Sequence, residues 1–205
     1  MTSSSVNAIV FDFGNVLLEW DPRFVYRKFF QENEEGMENF LKEIKFAEWN
    51  AEQDKGRPFE EGIAILSREF PQHAELIQAY HDHWQDSIGD AIAGSVEILK
   101  RLKHKGFRLY GLSNWSAETF PFALAKYDFF GMFDDMVISG QVGFVKPDPA
   151  IYTVLLEKIG KPADACLFID DSLANIQQAK RMRFVTIHFT SPAQLEAELT
   201  QMGIL

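Results

Sequence analysis

Four short stretches of the sequence combine acidic, hydroxyl, amide and ammonium side chains next to apolar runs. They are FDFGNV at 11–16, LSN at 112–114, KPDP at 146–149 and FIDDS at 168–172. The adjacent carboxylates of Asp170 and Asp171 repel one another unless a cation lies close by. Mg²⁺ prefers a few carboxylates together with phosphate oxygens. These stretches can therefore bind a magnesium ion and a phosphoryl group, and Asp12 is a carboxylate that can attack phosphorus.

Each of these residues also has an ordinary structural explanation. Asp12 follows four apolar residues, where a carboxylate is costly unless it is solvated, hydrogen-bonded or bound to a cation, but it could simply cap a turn or a helix. Ser113 and Asn114 could cap the helix that follows, and Lys146 could be a surface lysine. The acidic pair could be a solvated cap, and Asn175 an exposed helix residue. Only their joint order and placement favour a site.

The elements that must position these residues follow from the apolar pattern. The predicted strands are 7–12, 107–112, 135–138, 165–169 and 183–188; the predicted helices after residue 90 are 95–105, 116–127, 148–159, 173–182 and 192–202. Alternating strands and helices indicate an α/β fold, with a parallel sheet covered by helices on both faces. Because the carboxyl ends of parallel strands share one edge, Asp12, Ser113 and Asp170–Asp171 are predicted to meet there.

The segment from Leu17 to about Asp90 has a different pattern, because its apolar residues recur at helical spacing and no strand is predicted. The candidate helices are 23–32, 36–48, 58–69 and 73–87, with breaks at Gly56–Pro58 and Pro71. Gly14 and Asn15 allow a tight backbone just before this segment. The pattern predicts a helical insertion directly after the first strand.

Composition limits the classes of partner. The 205 residues carry a formal net charge of −10, which argues against nucleic-acid binding. No apolar run approaches the roughly 18 residues of a membrane span, and the start MTSSSVNAIVF lacks the basic region of a signal peptide. The single cysteine, Cys166, excludes an internal disulfide and is predicted to be a buried thiol. We expect a cytoplasmic protein that is a monomer, with a dimer as the alternative.

In their order and placement, the motifs resemble those of the haloacid dehalogenase-like (HAD) hydrolase superfamily, whose members are mostly magnesium-dependent phosphatases. The matching segments are DFGNV, LSN, KPDPAIY and DDSLANI, so the resemblance covers the whole chain. It implies a Rossmann-like core formed by residues 1–16 and 91–205, and a helical cap domain at 17–90. The implied substrate is a small phosphorylated metabolite.

The resemblance also implies a role for each matching residue. Asp12 would be the nucleophile, Ser113 would bind the phosphate, and Lys146 would bind both the phosphate and the nucleophile. Asp171 is favoured over Asp170 as the direct ligand of the metal. The implied Mg²⁺ ligands are Asp12, the backbone carbonyl of Gly14, Asp170 and Asp171.

One position departs from the superfamily pattern. The superfamily's phosphatases usually carry a second aspartate two residues after the nucleophile as general acid and base, and here that residue is Gly14. General acid–base help is worth roughly 10²–10⁴-fold, so its loss implies a good leaving group or another acid, for which Glu19 and Asp21 are candidates. The FDxGNV start resembles a sub-group that includes the bacterial α-D-glucose-1-phosphate phosphatase, and an anomeric hydroxyl is a comparatively acidic leaving group.

Substrate contacts are predicted in the helical segment and beside the second motif. The stretch AEWNAEQDKG at 47–56 offers Trp49, Asp54 and Lys55, an aromatic face with charged partners that suits a sugar, although Trp49 could equally lie in the core. Asn114 is a further candidate contact. Trp20 and Trp115 are close in sequence to motif residues and could line the same pocket.

Three other functions compete with a phosphatase. A 2-haloacid dehalogenase of the same fold needs no metal and usually lacks paired acids in the last motif, so Asp170–Asp171 count against it. A phosphomutase depends on the acid that Gly14 replaces. A catalytically weak binding or regulatory protein is supported by Gly14 alone, and the other motif residues oppose it.

Overall fold

The computed structural model describes residues 6–205 of the chain. The prediction of no signal peptide depends partly on residues 1–5, and these residues lie outside the described part of the chain. Within 6–205, no helix combines the length and the apolar character that crossing a membrane requires.

Seven strands form two separate sheets in the described part of the chain. The strands are β1 (Ala8–Phe11), β2 (Leu18–Trp20), β3 (Ile88–Ala91), β4 (Arg108–Ser113), β5 (Asp135–Ile138), β6 (Cys166–Asp170) and β7 (Val185–His188). The larger sheet has the order β5-β4-β1-β6-β7, and every neighbouring pair is parallel. The parallel α/β fold predicted from the alternating pattern is therefore confirmed.

Helices connect the strands of this sheet and also fill the segment between β2 and β3. The helices are α1 (Arg23–Phe30), α2 (Glu34–Glu43), α3 (Phe46–Asp54), α4 (Phe59–Glu69), α5 (Ala74–Asp82), α6 (Ala93–His104), α7 (Phe120–Lys126), α8 (Ser139–Val142), α9 (Pro149–Ile159), α10 (Leu173–Arg181) and α11 (Pro192–Gln201). From α6 onward they alternate with β4 to β7. The division into a core and a cap domain at residues 16/17 and 90/91 stays a prediction.

Both faces of the sheet are buried, as parallel strands require. Along β1, Ile9 and Phe11 belong to one apolar cluster, and Ala8 and Val10 belong to another. All four side chains are at most 1% exposed. Cys166 lies in the second cluster and is buried, as predicted.

The prediction that residues 17–90 contain no strand is wrong. β2 and β3 lie at the two ends of this segment and pair with one another in an antiparallel arrangement. They have only three and four residues, LEW and IGDA, which is too short to show an alternating pattern. Their partner is about 70 residues away in sequence, so tertiary pairing rather than local preference forms them.

The predicted helix at 36–48 is two helices. Lys45 adopts a left-handed backbone with φ of 51°, which ends α2 and lets α3 start at Phe46. Nothing in the sequence marks this break, because lysine is an ordinary helix residue with no special preference for positive φ. The consequence is that residues 46–54 form a separate helix.

Three of the motifs come together where strands of the sheet end. β1 lies at the centre between β4 and β6, and Asp12 follows its last residue. Ser113 ends β4 and Asp170 ends β6. This edge is where ligands bind in open α/β sheets.

Candidate active site

The ammonium group of Lys146 lies at the centre of the site. Its Nζ is 2.8 Å from Oδ1 of Asp12 and 2.7 Å from Oδ2 of Asp170, and it donates to the carbonyl oxygen of Leu112 at 2.9 Å. The residue is only 4% exposed. Burial by itself lowers the pKa of Lys146, but the carboxylates of Asp12 and Asp170 outweigh burial and hold this pKa above its usual value.

Asp12 is fixed by three donors on one oxygen. Oδ1 accepts from the backbone N–H of Phe13 at 2.7 Å and from Oγ of Ser113 at 2.9 Å, in addition to its ion pair with Lys146. Burial raises the pKa of Asp12 to about 7; Lys146 opposes this rise, and the neighbouring acid Asp170 adds to it. A further cation beside Asp12 would favour its ionised form.

Asp170 is completely buried and fully hydrogen-bonded. Its Oδ1 accepts from the backbone N–H of Ser172 at 2.8 Å, and Nδ2 of Asn175 donates to both carboxylate oxygens at 3.0 and 3.1 Å. Asn175, in the first turns of α10, is therefore buried in the site and is not an exposed helix residue. These contacts supply the partners that a buried carboxylate needs.

Three carboxyl groups form a cluster that fits a divalent cation. One oxygen each from Asp12, Asp170 and Asp171 lies within 4.8 Å of the others. Burial, together with the charge of Asp170, raises the pKa of Asp171. Lys146 supplies only one positive charge against three acids, so a cation at this point would relieve the repulsion that remains. Oxygen ligands of this kind are those that Mg²⁺ prefers.

Asn114 holds the chain that carries Lys146. Its Oδ1 accepts from the backbone N–H of Lys146 at 2.7 Å, and its Nδ2 donates to the carbonyl oxygen of the same residue at 2.9 Å. Both ends of the amide are thus used within the protein. This contact positions Lys146 relative to β4, a role that the sequence did not suggest for Asn114.

These residues face a cavity of about 240 Å³ between the sheet edge and the helical segment. The sheet edge and the loops after it contribute ten lining residues, and the helical segment contributes the other five. The lining residues are Asp12, Gly14, Asn15, Ser113, Asn114, Trp115, Thr119, Lys146, Asp171, Asn175, and Trp20, Asn50, Asp54, Tyr80 and Trp84.

Some of the predicted substrate contacts reach this cavity. Asp54, Trp20 and Trp115 line it, as does Asn114. Burial raises the pKa of Asp54 to about 7, which the hydrogen bond from the backbone N–H of Ser116 only partly opposes.

Trp49 and Lys55 do not line the cavity, although both are among the described residues. The reason is helical phase, because residues four apart share one face of α3. Asn50 and Asp54 lie on the cavity side, whereas Trp49 is buried among aromatic rings and donates through Nε1 to the carbonyl oxygen of Gly62. Lys55 follows the last residue of α3 and is exposed.

Gly14 lines the cavity beside Asp12 and carries no acid. A Cβ built at this position would meet nothing nearer than Cβ of Trp20 at 3.9 Å, so crowding does not explain the glycine. The tight backbone is at Asn15, where φ is 56° and the side chain accepts from the N–H of Trp20. The proposed substitute acid Glu19 is absent from the lining set and is exposed.

Sequence reasoning missed four residues of the lining. Asn50 precedes Asp54 by one helical turn, so a helical reading of 46–54 would have found it. Tyr80 and Trp84 fall inside the predicted helix 73–87, and nothing in their spacing marks them as cavity residues. Thr119 lies in the loop after β4 and accepts from Nε1 of Trp115.

Curated relatives of this chain include enzymes of phosphate chemistry. The drimenol cyclase of Aspergillus calidoustus is 26% identical over 203 residues, which are 96% of this chain and 36% of that protein. The sesquiterpene phosphatase of Aspergillus oryzae is 29% identical over 54% of this chain and 56% of that protein. The chain thus spans about a third and about half of these two relatives.

A third relative matches over more of its own length. The phosphorylated carbohydrates phosphatase of Thermotoga maritima is 25% identical over 85% of this chain and 81% of that protein.

Solved structures share the fold. A HAD family enzyme of Bacteroides thetaiotaomicron, solved as a variant in complex with magnesium and inorganic phosphate, superposes with a TM-score of 0.72. The alignment covers 91% of this chain and 95% of that one at 19% identity. A family model for haloacid dehalogenase-like hydrolases matches residues 6–183, and the protein therefore belongs to this family.

Proposed function

We propose that this protein is a Mg²⁺-dependent phosphatase that hydrolyses a small phosphate ester through an aspartyl-phosphate at Asp12. One observation carries the proposal: the Asp12 carboxylate, the Ser113 hydroxyl and the Lys146 ammonium group meet beside two further acids at one end of a cavity. The curated relatives named as phosphatases support the same reaction class.

The protein's own groups prepare Asp12 to attack. The described contacts of this carboxylate with Phe13, Ser113 and Lys146 all fall on Oδ1, which leaves Oδ2 as the atom that attacks phosphorus. Lys146 keeps the carboxylate ionised at the moment of attack, and the same ammonium group offsets charge on the phosphoryl oxygens. The Ser113 hydroxyl, which donates to Asp12 at 2.9 Å, would donate to one of these oxygens when the substrate is bound.

The residues suited to hold Mg²⁺ are Asp12, Asp170, Asp171 and the carbonyl of Gly14. When bound, the ion would neutralise negative charge on the phosphoryl oxygens. Asn175 and the N–H of Ser172 keep Asp170 in place whether or not the ion is present.

We assign substrate selection to a cap domain at 17–90, which supplies five residues of the cavity lining. The cavity of about 240 Å³ adjoins a depression of about 530 Å³, so volume alone does not select the ester. The residues that line both are Trp20, Asn50, Asp54, Asn114, Lys146 and Asn175. Tryptophan faces beside Asn50 and Asp54 suit a sugar ring, so a sugar phosphate such as glucose 1-phosphate is the leading candidate.

A second candidate substrate is an isoprenoid monophosphate. The rings of Trp20, Trp84 and Trp115 give the cavity an apolar side, and one curated relative is named a sesquiterpene phosphatase. The polar side chains of Asn50, Asp54 and Asn114 in the same lining are the observation against this candidate.

The reaction is tested by hydrolysis of p-nitrophenyl phosphate with Mg²⁺ and with a chelator. We expect the chelator to abolish turnover. We also expect Asp12→Asn to lose turnover while its circular dichroism spectrum stays unchanged. Activity that persists in the chelator or in the variant contradicts the proposal.

Chloride release from 2-chloropropionate would favour a dehalogenase instead. Rates on about a hundred phosphorylated metabolites, with farnesyl phosphate added, would then rank the substrate classes.

A further inference from the structure

Hydrolysis of an alkyl phosphate needs a proton donor for the departing oxygen. Three carboxyl groups line the cavity: Asp12, Asp171 and Asp54. The first two belong to the acidic cluster around Lys146 and are the proposed nucleophile and a metal ligand. Gly14 lines the cavity next to them without a side chain that carries a proton.

The acids that follow β1 in sequence do not fill this role. Oδ1 of Asp21 accepts from the backbone N–H of Arg23 at 2.9 Å and forms an ion pair with its guanidinium group at 3.2 Å. Glu19 lies near Gly89 of β3. Both residues line a separate surface depression and are absent from the cavity that holds Asp12.

Asp54 has the surroundings of a neutral acid rather than of an ion-pair partner. Its Oδ2 accepts from Nδ2 of Asn50 at 3.0 Å, and the backbone N–H of Ser116 donates to the same carboxylate. Among the described residues, no lysine, arginine or histidine forms a salt bridge with it. Burial raises its pKa to about 7, so that both the acid and its conjugate base are present near neutral pH.

Contacts with the core hold Asp54 at the cavity. The hydroxyl of Ser139, at the start of α8, donates to its backbone carbonyl at 2.5 Å. Two residues further on, Gly56 has a φ of 111°, and a Cβ there would lie 3.2 Å from the carbonyl oxygen of Gly140. The end of α3 is therefore packed against α8, and these contacts hold the backbone of Asp54 at the cavity.

Resting on the proposed function, we infer that Asp54 is the proton donor and acceptor of the reaction. In the first step, Oδ2 of Asp12 forms a bond to phosphorus, the ester P–O bond breaks, and the Asp54 carboxyl proton passes to the departing oxygen. In the second step, water attacks phosphorus and its proton passes to the Asp54 carboxylate. The Asp12–phosphorus bond then breaks, which returns Asp12 as a carboxylate and releases inorganic phosphate.

The groups that face Asp54 include one neutral hydroxyl and several charged side chains. Tyr80 lies across the helical segment, and its hydroxyl has a pKa well above neutrality because of burial and of Asp54 itself. Lys146, Asp12 and Asp171 line the same cavity from the sheet edge. On its own segment, the Arg57 guanidinium group is used by Gln53 and by the carbonyl of Trp49. Burial raises the pKa values of Asp54 and of Asp12 to about 7, and only the titration of Asp54 should depend on the leaving group.

The test compares an alkyl ester, glucose 6-phosphate or glycerol phosphate, with p-nitrophenyl phosphate, whose leaving group needs no proton. We expect Asp54→Asn to lower the rate on the alkyl ester by roughly 10²–10⁴-fold. With p-nitrophenyl phosphate, the variant should still release one p-nitrophenolate per site in a burst, followed by slow turnover, because only the second step needs the base. Glu52→Gln, which changes an exposed acid of α3, is the matched control and should behave as wild type.

The pH profile gives an independent readout. Wild-type kcat/KM for the alkyl ester should fall as the pH rises above about 7, whereas kcat/KM for p-nitrophenyl phosphate should not fall. Asp54→Glu should show the same fall with the alkyl ester. Equal losses of kcat/KM on both esters in Asp54→Asn, or the absence of a p-nitrophenolate burst, would overturn the role of Asp54. So would a wild-type fall in kcat/KM above about pH 7 that is the same for both leaving groups. The wild-type comparison decides the matter even if the variant does not fold. Turnover that survives in Asp12→Asn would instead defeat the proposed function.

Discussion

Lys146 keeps its charge on a nearly fully buried side chain because two carboxylates and a carbonyl oxygen surround it. Removing the ammonium group would leave Asp170 as a buried, uncompensated charge. We expect Lys146→Met to lower the free energy of unfolding by about 3–5 kcal/mol in the absence of Mg²⁺. Urea denaturation with and without Mg²⁺ measures this change, and Mg²⁺ should restore part of the loss.

Lys158→Met is the matched control for this experiment. Lys158 pairs with Asp135 at 2.8 Å, but both side chains are about 40% exposed, so water screens the pair. Its removal should cost about 0–1 kcal/mol. Equal losses in the two variants would show that the buried cluster is not held by charge.

Asp54 should reduce stability as the pH rises. Below pH 3.8 the carboxyl is protonated in both the folded and unfolded states; between 3.8 and about 7 only the folded state keeps the proton, so unfolding becomes progressively easier. Asp54→Asn should therefore be more stable than wild type at pH 8, by an amount on the order of 1 kcal/mol or more, and equal to it near pH 4. Thermal and urea unfolding at both pH values measure the difference. A variant that is less stable at pH 8 would contradict the burial of this acid.

Tyr80 and Tyr26 form a natural pair for testing a substrate contact. Both hydroxyls are buried without a hydrogen-bond partner of good geometry among the described residues, but only Tyr80 lines the cavity. Replacing either by phenylalanine keeps the stacked rings and should leave stability unchanged or slightly higher. We expect only Tyr80→Phe to raise KM for the best substrate. A similar change in KM for Tyr26→Phe would assign the effect to packing.

At the scale of elements, the sequence predicted the parts of the fold that have local signals. β1, β4, β5 and β6 each end within about a residue of the predicted boundary, because short branched apolar runs end at polar residues there. β2 and β3 could not be predicted, since their pairing partners are distant in sequence. The break at Lys45 was equally hidden, because a left-handed lysine has no compositional signal.

The same distinction applies to the site. Asp12, Ser113 and the acidic pair stand at strand ends, so chain order was enough to predict that they meet. Lys146 lies between α8 and α9, and its place in the site was implied by the family resemblance. In the helical segment, no strand ends indicate which residues meet. Its contacts depend on the helical phase of α3, which placed Asn50 and Asp54 at the cavity and turned Trp49 into the core.

The clamp between Asn114 and Lys146 joins two loops of the sheet edge. Asn114→Ala removes two hydrogen bonds and should lower the free energy of unfolding by about 1–3 kcal/mol. It should also lower kcat, since Lys146 is no longer fixed, while the Mg²⁺ concentration for half-maximal activity changes little because Asn114 touches none of the acids. Asn39→Ala, on an exposed position of α2, is the control. A normal kcat with a changed Mg²⁺ requirement would contradict the positioning role.

At the scale of the whole molecule, hydrogen bonds as well as the continuous chain join the helical segment to the sheet. Nζ of Lys126 and the hydroxyl of Tyr127 donate to backbone carbonyls of β3, Ile88 and Gly89. Together with the contact between Ser139 and Asp54, these bonds fix both sides of the cavity. The helical segment is therefore held to the sheet by hydrogen bonds at two separate places.

The overall charge opposes the approach of a phosphate ester. In the cavity, Lys146 and a bound Mg²⁺ would balance the three acids, so the repulsion that remains comes from the formal net charge of −10 of the whole chain. Raising the ionic strength from about 0.01 to 0.1 M shortens the screening length from about 30 to about 10 Å. The long-range repulsion should then weaken more than the short-range attraction to Lys146, which is screened little because it is buried. We expect kcat/KM at saturating Mg²⁺ to rise with KCl over this range, by about twofold, while kcat stays constant. A fall in kcat/KM would mean that local positive charge, rather than the whole-molecule field, governs substrate capture.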